Sequence, residues 1–126
     1  MNEHEFKRRT FQIALKAIQL VETIPQNRTG EVIGKQLIRS ATSVGANYRS
    51  ACRGKSTADV IAKLSIVEEE ADETIYWLDL IVESGLLSLE KVTKLKSETN
   101  EILAMTVASI KTLRIKNQTQ NSKPPI

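Results

Sequence analysis

The sequence predicts an all-α protein that folds as an antiparallel, up-down-up-down four-helix bundle. Long stretches are rich in Ala, Leu, Ile, Glu and Lys, and their apolar residues recur at helical spacing. Runs of β-branched residues with period two are absent, and Pro25 is the only proline before the last three residues. Short connections join the four helical segments, which makes successive helices antiparallel neighbours.

The first two helices are predicted over residues 3–24 and 31–53. The first helix has a heptad seam spaced four and three apart: Phe6, Thr10, Ile13, Ala17, Leu20 and Ile24. Pro25 ends this helix because the residue before a proline avoids helical backbone angles. The second helix ends before Gly54, which we expect to serve as a left-handed cap.

The third and fourth helices are predicted over residues 57–84 and 89–116. Ser56 is the expected N-cap of the third helix, with Asp59 completing a start that resembles a capping box. The seam of this helix is the most regular in the chain: Val60, Leu64, Val67, Ala71, Thr74, Leu78 and Ile81. Ser84-Gly85 closes it, and Ser88 is the expected N-cap of the fourth helix.

Composition limits the classes of protein that fit this chain of 126 residues. We expect one bundle domain over residues 1–116 and a disordered polar tail over residues 117–126. One cysteine, Cys52, and one histidine, His4, argue against a disulfide, a zinc site or a Cys-His nucleophile within one chain. No signal peptide or membrane span is apparent. We therefore expect a cytoplasmic protein with no cofactor, metal, catalytic residue or membrane partner.

Charge alternates along the sequence. Residues 28–55 carry six basic side chains against one acidic, which gives +5. Residues 59–90 carry one against nine, or −8, and residues 91–126 carry seven against two, or +5. This alternation favours neighbouring helices, or neighbouring subunits, that attract each other.

The second and third helices each carry a second face that a monomeric bundle does not need. On the second helix this face is basic at its ends and small in the middle, and on the third it is acidic and apolar. A contiguous apolar surface indicates an interface, and distinct faces that meet head to tail close into rings. We therefore predict a cyclic homo-oligomer in which helix two of one subunit packs near helix three of the next. The predicted subunit interface comprises Arg39, Thr42, Ala46, Ile66, Glu69, Glu73, Trp77 and Leu80.

The second helix also carries a family signature. Residues 36–47 resemble the Gln-x-x-Arg-x-Ala-x-Ser-Ile-x-x-Asn pattern of four-helix bundle proteins encoded in intervening sequences of bacterial 23S ribosomal RNA genes. The matching positions are Gln36, Arg39, Ala41, Ser43, Val44 and Asn47. Residues 63–73 are also similar to that family, with Glu73 at its recurrent glutamate, and the likeness extends over residues 6–115.

The chain departs from the family pattern at three places. Asn47 is followed by Tyr-Arg-Ser-Ala rather than Ile-Ala-Glu-Gly, Ile38 replaces a frequent arginine, and residues 68–70 are three glutamates. The resemblance implies an antiparallel bundle that assembles into a homopentamer and has no established enzymatic activity. A related protein, the accessory protein of diversity-generating retroelements, is a basic pentamer that binds nucleic acid and a reverse transcriptase, so the resemblance also implies such partners.

The basic residues predict a non-catalytic, oligomeric scaffold that binds RNA, DNA or a nucleoprotein without sequence specificity. Lysine and arginine neutralise phosphates, and a ring repeats each contact in every subunit. Aromatic residues for stacking on bases are few, which argues against sequence-specific reading of RNA. We expect Arg39 to be structural. The predicted phosphate contacts are Lys35, Arg49, Arg53, Lys55, Lys111, Arg114 and Lys116.

Other functions stay open at this point. One is a protein–protein adaptor that binds no nucleic acid. Another is a magnesium-dependent all-α nucleotide pyrophosphohydrolase, because residues 69–73 match its Glu-Glu-x-x-Glu pattern. That enzyme needs a Glu-x-x-Asp on a facing helix, and Glu98-x-x-Glu101 is the nearest equivalent. A diiron bundle needs inward Glu-x-x-His pairs, which His4 cannot supply.

Overall fold

The computed structural model describes residues 1–121. These residues form four α-helices and no strand: α1 (Glu3–Val21), α2 (Arg28–Ala51), α3 (Thr57–Glu83) and α4 (Leu89–Asn121). Within the described chain, α1 and α3 each pack on α2 and on α4, whereas α1 and α3 do not approach each other closely, nor do α2 and α4. The helices therefore occupy four corners around one core, and the predicted all-α bundle is confirmed.

α1 ends three residues earlier than predicted, and α2 also begins three residues earlier than predicted. α1 ends at Val21 because the amides of Thr23 and Ile24 donate to carbonyls three residues back at 3.0 and 3.1 Å, which tightens the last turn ahead of Pro25. Ile24 stays buried, but as part of the connection. α2 begins at Arg28 because the side chain of Asn27 caps it by accepting a hydrogen bond from the amide of Gly30 at 2.7 Å.

Gly54 and Gly85 end their helices for different reasons. Among the described residues only Gly85 has a positive φ, of 80°, so Gly54 is not the left-handed cap that we predicted. A Cβ atom on Gly54 would overlap the side chain of Val60, so glycine there permits a close approach of the connection to α3. Gly85 closes α3 as predicted, and the amide of Leu86 donates back to the carbonyl of Ile81 at 3.0 Å.

The start of α3 agrees with the predicted cap. The Ser56 hydroxyl oxygen accepts from the amide of Asp59 at 3.0 Å. The Asp59 carboxylate in turn accepts from the amide of Lys55 at 3.0 Å. Two backbone donors are thereby satisfied where the chain enters the helix.

α4 is longer than predicted. It continues to Asn121, so the predicted boundary at 116 is corrected and residues 117–121 belong to the helix. No proline or glycine occurs between residues 89 and 121, so nothing in the sequence stops the helix sooner. Leu113 is the last α4 side chain in the apolar core. The rest of the predicted disordered tail, residues 122–126, lies outside the described residues.

The core is apolar but includes several hydroxyl groups. Its largest fully buried side chains include Ile13, Leu37, Leu78, Ile81 and Ile102. Four buried threonines each donate to a carbonyl of their own helix at 2.8–3.0 Å: Thr10, Thr74, Thr99 and Thr106. These hydroxyls are therefore satisfied without water. Among the described residues, no helix combines the length and the hydropathy that a membrane span requires.

Candidate nucleic-acid interface

Three segments that are distant in sequence meet at one end of the bundle, which we name the basic end: residues 1–9, 46–63 and 105–121. The rings of Phe6 and Tyr48 lie 4.2 Å apart and join α1 to α2. Ala51, Leu64 and Ile110 form a small buried cluster that joins α2, α3 and α4. Ten lysines and arginines against three carboxylates give the three segments a net charge of +7.

Six of the seven predicted phosphate contacts lie at the basic end. Every one of them is exposed, and none forms an ion pair with another described residue. They are Arg49, Arg53, Lys55, Lys111, Arg114 and Lys116. The seventh, Lys35, is also exposed but lies on the first half of α2, in a surface cavity of about 270 Å³ that is lined by the connection between α1 and α2. The structure therefore separates Lys35 from the other six.

Arg8 is a further exposed base of this end that sequence reasoning missed. Its neighbours are engaged: Lys7 Nζ lies 3.6 Å from a Glu3 carboxylate oxygen, and Arg9 Nη2 lies 3.1 Å from one of Glu101. Arg8 has no ion pair among the described residues. The run Lys7-Arg8-Arg9 was a visible signal, but a single helix does not show that the start of α1 lies beside the end of α2.

At the basic end, α4 extends beyond the apolar core. Its side chains from residues 114 to 119 are exposed except for half-buried Asn117. The eight residues that follow Leu113 form a helical arm about 12 Å long beyond the core. Arg53 and Lys55 flank Gly54 in the connection between α2 and α3, at the same end. The arm and this connection together carry four exposed bases: Arg53, Lys55, Arg114 and Lys116.

A cavity of about 520 Å³ opens beside these bases, with Phe6, Tyr48, Met105 and Leu113 in its lining. Burial, and after it the neighbouring Cys52, raises the pKa of the Tyr48 hydroxyl. Burial likewise raises the pKa of the Cys52 thiol. Both groups are therefore neutral at pH 7. Phe6 is only 8% exposed and Tyr48 is half-buried against it, so both rings are less exposed than Phe11 and Tyr76, which are 60% and 58% exposed.

The signature arginine of α2 joins α2 to α3. Arg39 Nε donates to the side-chain oxygen of Gln36 at 3.1 Å, Nη1 donates to Glu70 at 3.2 Å, and Nη2 pairs with Glu73. The bond to Glu73 raises the pKa of Arg39. We predicted that Arg39, Glu69 and Glu73 meet in the subunit interface. In the structure Arg39 pairs with Glu70 and Glu73 of its own chain, because α2 and α3 are neighbours in the same bundle.

The other signature residues are also engaged in the fold. Ala41 and Val44 are fully buried in the core. The side-chain amide of Asn47 donates to the carbonyl of Ser43 at 2.8 Å. The signature therefore shapes α2 and its contact with α3, and leaves the positive charge of the basic end to residues outside it.

The remaining predicted interface residues differ in exposure. Trp77 and Leu80 are half-buried and pack against the core, and the indole Nε1 of Trp77 is buried without a hydrogen-bond partner among the described residues. Thr42 is half-buried, and its hydroxyl donates to the carbonyl of Ile38 at 2.7 Å. Three members are exposed: Ala46, Ile66 and Glu69. Their role in an interface stays a prediction.

Sequence reasoning missed an exposed apolar row on α1. Phe11, Leu15 and Ile18 are 60%, 37% and 39% exposed. Their spacing of four and three places them on one face of the helix, away from the core seam. The signal was in the sequence, but the first apolar seam already accounted for the burial of α1.

The carboxylates that a pyrophosphohydrolase would require are not brought together. Glu70 and Glu73 turn toward α2 and pair with Arg39. Glu98 and Glu101 turn toward α1, where Glu98 lies 2.7 Å from Lys16 Nζ. Within residues 1–121 no group of three or more His, Cys, Asp or Glu side chains is placed to hold a metal ion.

Comparisons with known proteins agree with the fold and with the α2 signature. The family model described as 23S rRNA-intervening sequence protein matches residues 2–108. A crystal structure at 1.70 Å resolution, of a protein with unknown function from the S23 ribosomal protein family of Bacteroides thetaiotaomicron, is similar with a TM-score of 0.79 and 33% sequence identity. The match covers 84% of this chain and 98% of that one. No curated protein matches the chain. With the family match spanning most of the bundle, the chain belongs to the 23S rRNA-intervening sequence protein family.

Proposed function

We propose that this chain is a non-catalytic, cytoplasmic scaffold that binds RNA or DNA through the basic end, without sequence specificity. The observation that carries the proposal is the gathering of six exposed bases without ion pairs on segments that are distant in sequence. Charges that merely keep a protein soluble are interspersed with charges of the opposite sign, whereas a concentrated field of one sign attracts a polyanion. Arg39, Lys16 and Arg9 are held in ion pairs and take no part.

We propose that the helices run antiparallel, which explains why the bases gather. Residues near the end of α1 contact residues near the start of α2, and the reverse. A Cβ on Gly34 would lie 3.0 Å from Val21, and one on Gly45 would lie 3.4 Å from Thr10. The same order holds elsewhere, in Ser40–Thr74 and Ser50–Lys63 between α2 and α3, and in Arg9–Glu101 and Lys16–Glu98 between α1 and α4. Antiparallel order brings the end of α2, the start of α3 and the end of α4 together.

The scaffold is further proposed to be a cyclic homo-oligomer, with the pentamer that the family resemblance implies. Exposed apolar side chains support an interface: the α1 row of Phe11, Leu15 and Ile18, and on α3 Ile66 and Tyr76, which are 41% and 58% exposed. A ring multiplies weak phosphate contacts, because subunits that bind one strand raise each other's effective concentration.

Salt dependence is the signature that this mechanism predicts. Each phosphate neutralised by lysine or arginine releases condensed counterions, so log K falls with log salt by about 0.9 per contact on duplex DNA. Six contacts in one subunit give a slope of about −5, and more if several subunits engage. A specific protein partner held by apolar contacts would show a much flatter dependence.

The test compares two double charge reversals of equal size. Arg53→Glu with Lys55→Glu alters the basic end, and Lys91→Glu with Lys94→Glu alters exposed, unpaired lysines at the other end of α4. Binding to mixed-sequence RNA and DNA is measured across a salt series, with the mass in solution from sedimentation. The first variant should lose at least about tenfold in affinity with a flatter slope, and the second should bind like wild type.

Three outcomes would redirect the interpretation. Equal losses in the two variants would mean that total charge, not the basic end, drives binding. A ring that binds no nucleic acid would favour the protein–protein adaptor, with the basic face of α2 as part of the subunit interface. A monomer at micromolar concentration would remove the oligomer from the proposal.

A further inference from the structure

We propose that the basic end recognises double-stranded nucleic acid, and that the arm of α4, residues 114–121, lies in the major groove of B-form DNA. This inference rests on the proposed function and adds the form of nucleic acid that the site accepts. Three features of the described residues lead to it: the low exposure of the local rings, the width of the arm and the position of the flanking bases.

Among the described residues, the basic end offers no strongly exposed aromatic ring on which an unpaired base can stack. Proteins that bind single strands combine positive charge with open aromatic faces. Here the local rings, Phe6 and Tyr48, pack against each other 4.2 Å apart with Phe6 buried. The strongly exposed rings, Phe11 and Tyr76, lie on the outer sides of α1 and α3, outside the segments that form this end. A double helix, with its bases already stacked, requires only phosphate and groove contacts.

The arm has the dimensions of a groove-binding helix. An α-helix with its side chains is about 10–12 Å across, and the major groove of B-form DNA is about 12 Å wide. The corresponding groove of A-form RNA is deep and narrow and does not admit a helix. Arg114 and Gln118 are exposed one turn apart on the same face of the arm, and both side chains can donate to base edges.

The bases that flank the arm suit the rim of such a groove. Arg49 lies in the last turn of α2, and Arg53 and Lys55 follow in the connection to α3. This connection leads into α3, which packs on α4, and packed helix axes are about 8–10 Å apart, so Lys55, just before α3, stands about one helix width from the axis of α4. The phosphates that border the major groove lie at a similar distance from a helix inside it, since the groove is about 8.5 Å deep.

The experiment separates the shape of the arm from its charge. Ile115 is 56% exposed, so Ile115→Pro breaks the helix at the root of the arm without removing a charge or a core side chain. Ile115→Ala is the matched control. Binding is measured by fluorescence anisotropy to a DNA duplex of about 20 base pairs, to one of its strands, and to an RNA duplex of the same sequence. Circular dichroism checks that each variant keeps its helical core.

We expect the DNA duplex to bind at least about tenfold more tightly than the single strand or the RNA duplex. Ile115→Pro should lower duplex affinity about tenfold, while Ile115→Ala stays within about twofold of wild type. Arg114→Glu with Lys116→Glu should lower the affinity and also flatten the slope by about two, because two phosphate contacts are lost. That double variant keeps the test decisive if the proline variant does not fold.

Each contrary result has one meaning. A single strand or an RNA duplex that binds as tightly as the DNA duplex overturns this inference and leaves the proposed function standing. Equal duplex affinity for the proline and alanine variants, or an unchanged slope in the charge-reversed variant, overturns the placement of the arm. Failure of all three probes to bind overturns both this inference and the proposed function.

Discussion

The two ends of the bundle are built on the same core but differ in the surroundings of their charges. At the basic end, ten bases against three acids leave a net +7, whereas residues 16–35 and 72–98, which form the opposite end, carry six bases against eight acids, a net −2. Lys91 and Lys94 are exposed like Arg53 and Lys55, but the end of the bundle that carries them has more acids than bases. An exposed base is therefore informative about function only through its neighbours in space.

The largest expected difference between the ends concerns the core. Ile81, fully buried at the opposite end, belongs to the main cluster, whereas Ile110 is 4% exposed in the small cluster of the basic end. We expect Ile81→Ala to cost about 4 kcal/mol of unfolding free energy and Ile110→Ala about 2, since the smaller cluster can collapse around the deletion. Urea unfolding of both variants measures this, and equal losses would show that the ends are equally well packed.

The two turn glycines should respond differently to alanine. Gly54→Ala places a methyl group on the Val60 side chain, and we expect a loss of about 2–3 kcal/mol that Val60→Ala partly restores. Gly85→Ala meets no atom within 4 Å but must hold a φ of 80°, at a cost of about 1 kcal/mol. A double-mutant cycle on unfolding free energies checks the rescue. If Val60→Ala does not relieve Gly54→Ala, the close approach is not the reason for glycine.

Gly54→Ala should also weaken nucleic-acid binding, whereas Gly85→Ala, at the opposite end of the bundle, should not. Gly54 lies between Arg53 and Lys55, so a shifted connection moves two of the proposed phosphate contacts. Nucleic-acid affinity at constant salt should therefore fall in Gly54→Ala and remain at the wild-type value in Gly85→Ala. If both variants bind nucleic acid with the same affinity, this connection is not part of the binding surface.

Between the two ends, the Arg39 network should contribute a smaller amount. The Arg39 side chain is 45% exposed and its partners Glu70 and Glu73 are 18% and 35% exposed. Such a pair stabilises by about 0.5–1 kcal/mol, and less at high salt. Arg39→Ala should lower the unfolding free energy by that amount, with Lys35→Ala, exposed and unpaired one turn earlier, as the control. A fall in oligomer mass in Arg39→Ala would instead assign the arginine to the subunit interface.

The smallest expected difference is in alkaline stability. Burial raises the pKa of Tyr48 and Cys52 above their ordinary values of 10.0 and 9.0, so the unfolded chain releases these protons first. Stability that is complete below pH 9 should therefore decline as the pH rises through the folded-state pKa values. Tyr48→Phe should make the decline shallower, and Tyr76→Phe, on the exposed ring at the opposite end, should not. Thermal unfolding from pH 7 to about pH 11 tests both variants.

Local sequence signals predicted the four helices better than they predicted the helix ends and the second apolar row of α1. The heptad seams predicted every helix, because burial on one face imposes a period that the residues must follow. Helix ends were less accurate, since Asn27 competes with later residues as the cap of α2 and nothing stops α4 at 116. The period alone also gave no reason to examine the second apolar row of α1, which contains Phe11.

The candidate site depended on information that is absent from any single helix. The sequence singled out the bases one at a time, but their proximity follows from the directions of four helices. It also could not tell whether the partner of Arg39 lies in the same chain or in the next, because both arrangements satisfy the same pairing of charges. The same missing information explains why the sequence grouped Lys35 with the other six bases, from which the structure separates it.

One pair of hydroxyl groups sets the alignment of α2 and α3. Ser40 and Thr74 are fully buried, and their oxygens lie 3.0 Å apart. A slip of α3 by one heptad in either direction would place Val67 or Ile81 opposite Ser40 and break this contact, although each hydroxyl would keep its bond to a carbonyl of its own helix. The pair thus favours one register of α3 against α2. The register in turn sets how far Arg53, about 20 Å from Ser40 along the direction of α2, stands from the end of α4. Two small buried groups therefore influence the shape of the outer surface.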